Sequence, residues 1–179
     1  MDIVIHDVKL SRLKEEDIEL LRTWRNSDAI AQKMIIRKEI TPEEQRHWFR
    51  SLKPDNDYYF MVTYRGEKTG LMNIKNIDWE AKTGEPGGFI VNTDYLGTYI
   101  PAMCFIGLFN FAFYTLQLKT LLGRILADNH ASIEMSKAIG GIIGRESDEV
   151  YTTTIHEPAY SVATAKFQKA IAILTKPPL

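Results

Sequence analysis

The run Asp94-Tyr95-Leu96-Gly97-Thr98-Tyr99 precedes a long apolar stretch that starts at Ile100. A loop that enters a helix N-terminus presents backbone N–H groups, and the helix dipole favours an anion there. Gly97 permits close backbone approach, Leu96, Tyr99 and Ile100 supply further N–H groups, and the Thr98 hydroxyl can add a donor. An ordinary loop before a core helix would use the same residues. Asn129 lies ahead of a second predicted helix and can cap it or bond a ligand. Arg25, in Trp24-Arg25-Asn26, has the planar fork that suits phosphate or carboxylate, with a helix acid as the alternative partner. Trp48 and Trp79 can wall a sugar or base face, or fill a core. The candidates for taking up a proton are Glu85, Asp78, Glu80 and His47, each equally readable as a solvated surface group. No metal-ligand set is assigned. The single cysteine, Cys104, lies between Met103 and Phe105 and reads as a buried, inert thiol.

Apolar periodicity places the elements that must hold these groups. Val4 to Leu10 reads as an opening strand. Glu15 to Arg25 reads as a helix, from Ile18, Leu21 and Trp24 at helical spacing and acids in the first turn. Asn26-Ser27-Asp28 ends it, with a short further turn towards Met34. Thr41-Pro42-Glu43-Glu44 is a capping box with proline at the first helical position, which predicts a helix to about Leu52. Tyr58 to Tyr64 and Gly70 to Asp78 read as paired strands around Arg65-Gly66, and Gly87 to Val91 as a short strand after a polar turn. Gly87-Gly88 is a natural place for a backbone distortion. The apolar helix follows, then a strand over Thr120 to Ala127 and a helix over Ala131 to Ile139 stopped by Gly140-Gly141. Ile142 to Ile155 and Ala159 to Ala165 read as strands, and Lys166 to Leu174 as a last helix. Such an order implies a mixed sheet, antiparallel first, with one parallel pair across the buried helix.

The chain has 179 residues, 45% of them hydrophobic and 25% charged, with a net charge of −1. These values fit one globular domain over residues 1–179 and show no basic excess for nucleic acid. Ile100 to Leu118 carries no formal charge, but its polar residues, Pro101 and its non-basic flanks favour a helix inside the domain over a membrane span. The N-terminus lacks a signal-peptide pattern, and a cytoplasmic location is expected.

Taken together, this order resembles the GNAT acetyltransferase fold over about Leu10 to Ala165. The ribosomal-protein N-terminal acetyltransferases and the amino-sugar-nucleotide N-acetyltransferases are the branches it resembles most. Leu21-Arg22-Thr23-Trp24-Arg25-Asn26 looks like the end of the family's first helix, and Ile40 to Phe49 like its second. Asn129 to Gly141 is similar to the family's N-x-x-A-x-x-L-Y-x-x-x-G-F, with Ser136 in place of the tyrosine and Gly141 in place of the phenylalanine. The family's pyrophosphate loop, Q/R-x-x-G-x-G/A, keeps here only Gly97, with Asp94 and Tyr99 at its other positions.

The resemblance implies an α+β fold, a mixed central sheet with helices on both faces, and acetyl-coenzyme A as cofactor. By the same likeness Phe89-Ile90-Val91 would hold the pantetheine arm with Asn129, and Leu96 to Ile100 the pyrophosphate. Ser136 would stand beside the leaving thiolate and Glu85 near the amine as base. Trp24, Arg25, Asn26, His47 and Trp79 would belong to the acceptor side. The expected reaction is acetyl transfer to a primary amine, preferably a small one such as an amino-sugar nucleotide. A protein N-terminus, a non-catalytic acyl-coenzyme A binder and an interaction module dimerising through the apolar helix are the alternatives; a homodimer fits any of them.

Overall fold

The computed structural model describes residues 1–35 and 37–174. The chain opens with a hairpin, β1 (Asp2–Ile5) and β2 (Val8–Arg12), turned at His6-Asp7, where one continuous strand is expected from the sequence. His6 takes a positive φ of 54° to make that tight reversal. A 3₁₀ turn then leads into α1 (Ile18–Asn26), followed by one turn of helix, α2 (Asp28–Ala31). The capping box forms at α3 (Pro42–Ser51): the Thr41 hydroxyl accepts from the Glu44 N–H at 3.2 Å, and Glu44 accepts from the Thr41 N–H at 2.9 Å.

The meander β3 (Tyr58–Tyr64), β4 (Glu67–Asp78) and β5 (Thr83–Ile90) is antiparallel throughout. A bulge interrupts β4 between Lys75 and Asp78, not at Gly87-Gly88, whose residues pair regularly with Asn73 and Met72. Those glycines serve close packing instead. A Cβ on Gly88 would come within 2.4 Å of the Met72 sulfur and 2.7 Å of the Leu71 carbonyl oxygen.

The apolar run forms α4 (Tyr99–Asn110) and continues as a π-helical turn over Phe111–Thr115. It packs into the core, where Cys104, Leu108 and Ala112 are fully buried. Burial pushes the Cys104 thiol up to about 12, which keeps it protonated and unreactive. No helix among the described residues is long and apolar enough to cross a membrane. β6 (Thr120–Leu126), α5 (His130–Ala138), β7 (Ile142–Arg145), β8 (Val150–His156) and α6 (Glu157–Leu174) complete the chain.

Ala159 to Ala165, expected as a strand, lies inside α6. Pro158 in the first turn starts the helix, and a ladder at i, i+4 spacing sustains it. Thr164 donates to the Tyr160 carbonyl and accepts from Gln168. Among the described residues the strands form an eight-stranded mixed sheet, ordered β1-β2-β3-β4-β5-β6-β8-β7. Its parallel step is β5 to β6, which α4 bridges as a crossover.

Candidate active site

β5 and β6 pair only at Thr83–Thr120 and Gly84–Leu121, after which they diverge while each remains paired on its other side. Pro86, which has no N–H to donate, comes two residues after the last pair at Gly84 and helps to end the contact. The two strands therefore open a wedge in the middle of the sheet, and a cavity of about 360 Å³ fills it. Phe89 borders the cavity from β5, Ile125 from β6, and Phe105 from α4. Arg25, Trp48 and the segment 33–35 close it from the side of α1 and α3.

Two buried polar groups, both unforeseen from the sequence, line this cavity without a hydrogen-bond partner. Asn73 is 8% exposed and has a free Nδ2; Thr153 is 4% exposed and has a free Oγ1. Asn73 pairs across β4–β5 with Gly87, and Thr153 across β6–β8 with Gly123. Each polar side chain thus sits beside a glycine, one on either arm of the wedge. Buried polar atoms are almost always bonded, so two unpartnered ones on residues that border one cavity stand out. In the sequence Asn73 is the one polar residue within the apolar stretch Leu71-Met72-Asn73-Ile74, a weak signal in a strand that also carries Lys75, Asn76 and Asp78; Thr153 is hidden in a run of threonines.

The cavity brings together Arg25, Phe89, Asn129 and Ser136 of the candidates read from the sequence. Asn129 caps α5 by accepting from the Ser132 N–H at 3.2 Å and borders the cavity as well. Ser136 is only 8% exposed, and no described hydrogen bond engages its hydroxyl. Arg25 is half-buried, and burial holds its pKa below the ordinary arginine value. Trp48 meets Tyr59 edge to face at 5.0 Å. Burial pushes the Tyr59 phenol up to about 12, so it lines the cavity as a neutral donor.

Other candidates lie outside the cavity lining. Glu85 adjoins it, next to Pro86, and pairs at 3.2 Å with Lys75, the cavity residue opposite on β4. The Asn26 amide donates to the Ile40 carbonyl and accepts from the Ile40 N–H, both at 2.9 Å, pinning the chain ahead of α3. Trp24 does not border the cavity, and its carbonyl closes α1 by accepting from Ser27. His47 is exposed on the outer face of α3, in a shallow groove beside Glu43 and Ser51. Trp79 donates to the Asp55 carbonyl at 3.2 Å. Asp78 accepts from the N–H groups of Glu80 and Ala81 and so holds a turn.

Leu96 to Ile100 follow the end of β5, past Ile90 and Val91, and also lie outside the cavity lining. Gly97 adopts φ +84° with open space where a Cβ would stand. The loop satisfies part of its own N–H set. Thr98 caps α4 by accepting from Ile100, its hydroxyl donates to the Tyr95 carbonyl, and its N–H does the same. The N–H groups of Gly97 and Tyr99 have no partner among the described hydrogen bonds. The Tyr99 phenol donates to Asp7 at 2.8 Å and lies 3.2 Å from the Tyr64 hydroxyl, fixing the ring against the β1–β2 turn. Among the described residues no cluster of His, Cys, Asp and Glu could hold a metal ion.

Residues 7–142 match the family model described as an acetyltransferase (GNAT) domain. No curated protein sequence matches the chain. Several solved structures share its fold. Apo FdhC, a nucleotide-linked sugar GNAT, is 18% identical with a TM-score of 0.80, over 94% of this chain and 97% of that one. The spermidine N-acetyltransferase of Vibrio cholerae in complex with CoA and spermine is 16% identical with a TM-score of 0.77, over 86% and 98%. A domain from Methanocaldococcus jannaschii DSM 2661 is 21% identical with a TM-score of 0.74, over 83% and 97%.

Proposed function

Since the chain belongs to the GNAT acetyltransferase family, we propose that it acetylates the primary amine of a small molecule, an amino-sugar nucleotide or a close analogue, using acetyl-coenzyme A. The observation that carries this reading is the wedge between β5 and β6, which opens into a cavity walled on the acceptor side by Arg25 and Trp48. A partly open pocket of this size, walled on one side by Arg25 and Trp48, suits a small acceptor better than a broad groove for a protein N-terminus would. The amino-sugar branch of the family is therefore preferred over the ribosomal-protein branch.

The residues present fit an acyl-pantetheine chain. The free edge of β5 beyond Gly84 offers strand-like hydrogen bonds. Asn73 and Thr153 offer unpartnered polar atoms on the two arms, and Gly97 and Tyr99 offer N–H groups to a pyrophosphate. Acetyl-coenzyme A supplies a thioester whose carbonyl carbon the amine attacks. Phe89, Ile90 and Val91 hold the arm, and Asn129 borders its reactive end. Alkylammonium groups ionise near ~10, so the acceptor must first lose a proton. Glu85, released from Lys75 or through a water, takes that proton. Forming the amide would leave a second proton on nitrogen for the sulfur to take up, and the Ser136 hydroxyl, which borders the cavity, would be the group to hydrogen-bond that sulfur. Positioning supplies much of the rate in such a ternary complex.

The test is a panel of primary amines incubated with acetyl-coenzyme A and purified protein, read as free thiol released. Faster turnover of amino-sugar nucleotides than of peptide N-termini is expected. Acetylation of peptides alone would move the protein to the other branch. Acetyl-coenzyme A binding without turnover of any amine would make it a non-catalytic binder.

A further inference from the structure

Arg25 is a half-buried cation without a counterion. No hydrogen bond or ion pair among the described residues engages its guanidinium. The acid on its own helix, Glu19, is taken by Arg22 at 2.6 Å, and Arg22 also donates to the Ile40 carbonyl. Tyr59 is the titratable group near enough to favour the charged form, and it is a phenol, not a carboxylate. A guanidinium partly withdrawn from water with no partner is costly, and folded proteins seldom leave one so. The charge balance of the surrounding wall points the same way. Arg25, Lys33, Lys75 and Arg124 line the cavity, and no Asp, Glu or His does so among the described residues. Lys75 and Arg124 are answered by Glu85 and Glu146. Arg25 and the exposed Lys33 at the rim have no such answer. A cavity with two spare cations and no acid repels a polyamine and attracts an oxyanion.

We propose that Arg25 is an oxyanion-binding residue of the acceptor pocket, so that the amine acetylated here carries a phosphate or carboxylate group, and polyamines are excluded. This rests on the acetyltransferase reading above and names the residue that would take the acceptor's phosphate, or a carboxylate in its place. The planar fork of arginine accepts either oxyanion in bidentate fashion, with Lys33 adding charge at the mouth. The N–H groups that the reading above assigns to the phosphates of coenzyme A, those of Gly97 and Tyr99, lie outside the cavity that Arg25 lines.

The experiment is calorimetric titration of the intact protein with glucosamine 1-phosphate, glucosaminic acid, glucosamine and spermidine, repeated on Arg25→Gln and Arg25→Lys, with circular dichroism to verify folding. Acetyl-coenzyme A is titrated into the same three proteins. At least one of the two anionic amines should bind about tenfold or more tighter than glucosamine and spermidine. Arg25→Gln should abolish that preference, Arg25→Lys should keep part of it, and acetyl-coenzyme A affinity should change less than about twofold. The stronger of the two anionic probes identifies the oxyanion. Spermidine binding as tightly as the anionic probes would overturn the proposal. So would a preference that survives Arg25→Gln, an equal loss of acetyl-coenzyme A affinity, or no binding of any probe. Binding is read without turnover, so an Arg25-dependent preference in a protein that acetylates nothing would leave the oxyanion site standing while the transferase reading fell.

Discussion

Ser136 sits on the cavity side of α5, buried, with no described hydrogen bond to its hydroxyl, at the position where the resembling family carries a tyrosine. A serine hydroxyl holds its proton tightly, whereas a strong general acid contributes about 10²–10⁴-fold. A thiolate leaving group needs only partial help, since thiols ionise near ~8.5. Ser136→Ala should therefore lower kcat by less than about tenfold with acetyl-coenzyme A affinity unchanged; a loss above about a hundredfold in steady-state kinetics would make the serine essential. Gly97 gives a second test at this scale. Its φ of +84° strains any side chain, so Gly97→Asn serves as the control for Gly97→Asp. Both replacements carry the same backbone cost, and only aspartate adds a negative charge beside the N–H groups of Gly97 and Tyr99. Acetyl-coenzyme A should bind at least about tenfold more weakly to Gly97→Asp than to Gly97→Asn, and equal affinities would remove this loop from the cofactor site. Gly97, Ser136 and Arg25 were legible because loop chemistry, helix spacing and family likeness each marked them. Tyr59, Asn73 and Thr153 were not, because what singles them out is a cavity formed by strands far apart in sequence.

The elements that could be read were those with local causes. Tyr58–Tyr64 matches its predicted bounds, since aromatic and β-branched residues between a Pro-Asp-Asn turn and Arg65-Gly66 leave little alternative. The alternation of Ala159 to Ala165 suits a strand; the Pro158 start and the Thr164 ladder that favour helix are weak local signals, and the contacts that seat it, Tyr160 against α4 and its bond to Asn110, are long-range. The split of β1 from β2 depends on a positive φ at histidine, which no composition rule announces. Helix α3 supports a prediction, because its cap is complete and it carries Trp48 to the cavity. Thr41→Ala removes the acceptor for the Glu44 N–H and should cost ~1 kcal/mol, or roughly 2–4 °C in Tm for a chain of this length. An unchanged melting temperature would mean that packing alone holds α3. The Glu44 carboxyl is held down to about 2, first by its hydrogen bond from Lys38 and then by the Thr41 N–H. A depressed carboxyl stabilises above its unfolded pKa and loses that contribution as pH falls through the folded value. Glu44 should therefore lose its contribution from about pH 4.5 down to about 2 in the wild type and in Thr41→Ala alike, because Lys38 and the N–H of residue 41 remain in both, and the stability gap between the two should persist over that window.

At the scale of the whole molecule, the sheet is continuous from β1 to β7, yet its middle is held by only the Thr83–Thr120 and Gly84–Leu121 pairs. The arms beyond those pairs are joined through α4, whose Cys104, Leu108 and Phe109 belong to the shared core. A ligand lying in the wedge bonds to both arms at once and does the work that strand pairing does elsewhere in the sheet. Such a ligand binds the folded chain and has no site on the unfolded one, so it must raise stability by mass action. At about a hundred times its Kd, acetyl-coenzyme A should add ~2.7 kcal/mol, equivalent to roughly 5–10 °C in Tm at ~2–4 °C per kcal/mol. One cooperative transition is expected with and without ligand, because the core runs beneath both arms. Thr153→Val should reduce the shift, since it removes a hydroxyl that no protein group bonds while keeping the side chain's shape. Measured by differential scanning calorimetry, a shift unchanged in Thr153→Val would place the ligand away from the β6–β8 arm. No shift at millimolar acetyl-coenzyme A would mean that the wedge does not hold this cofactor at all.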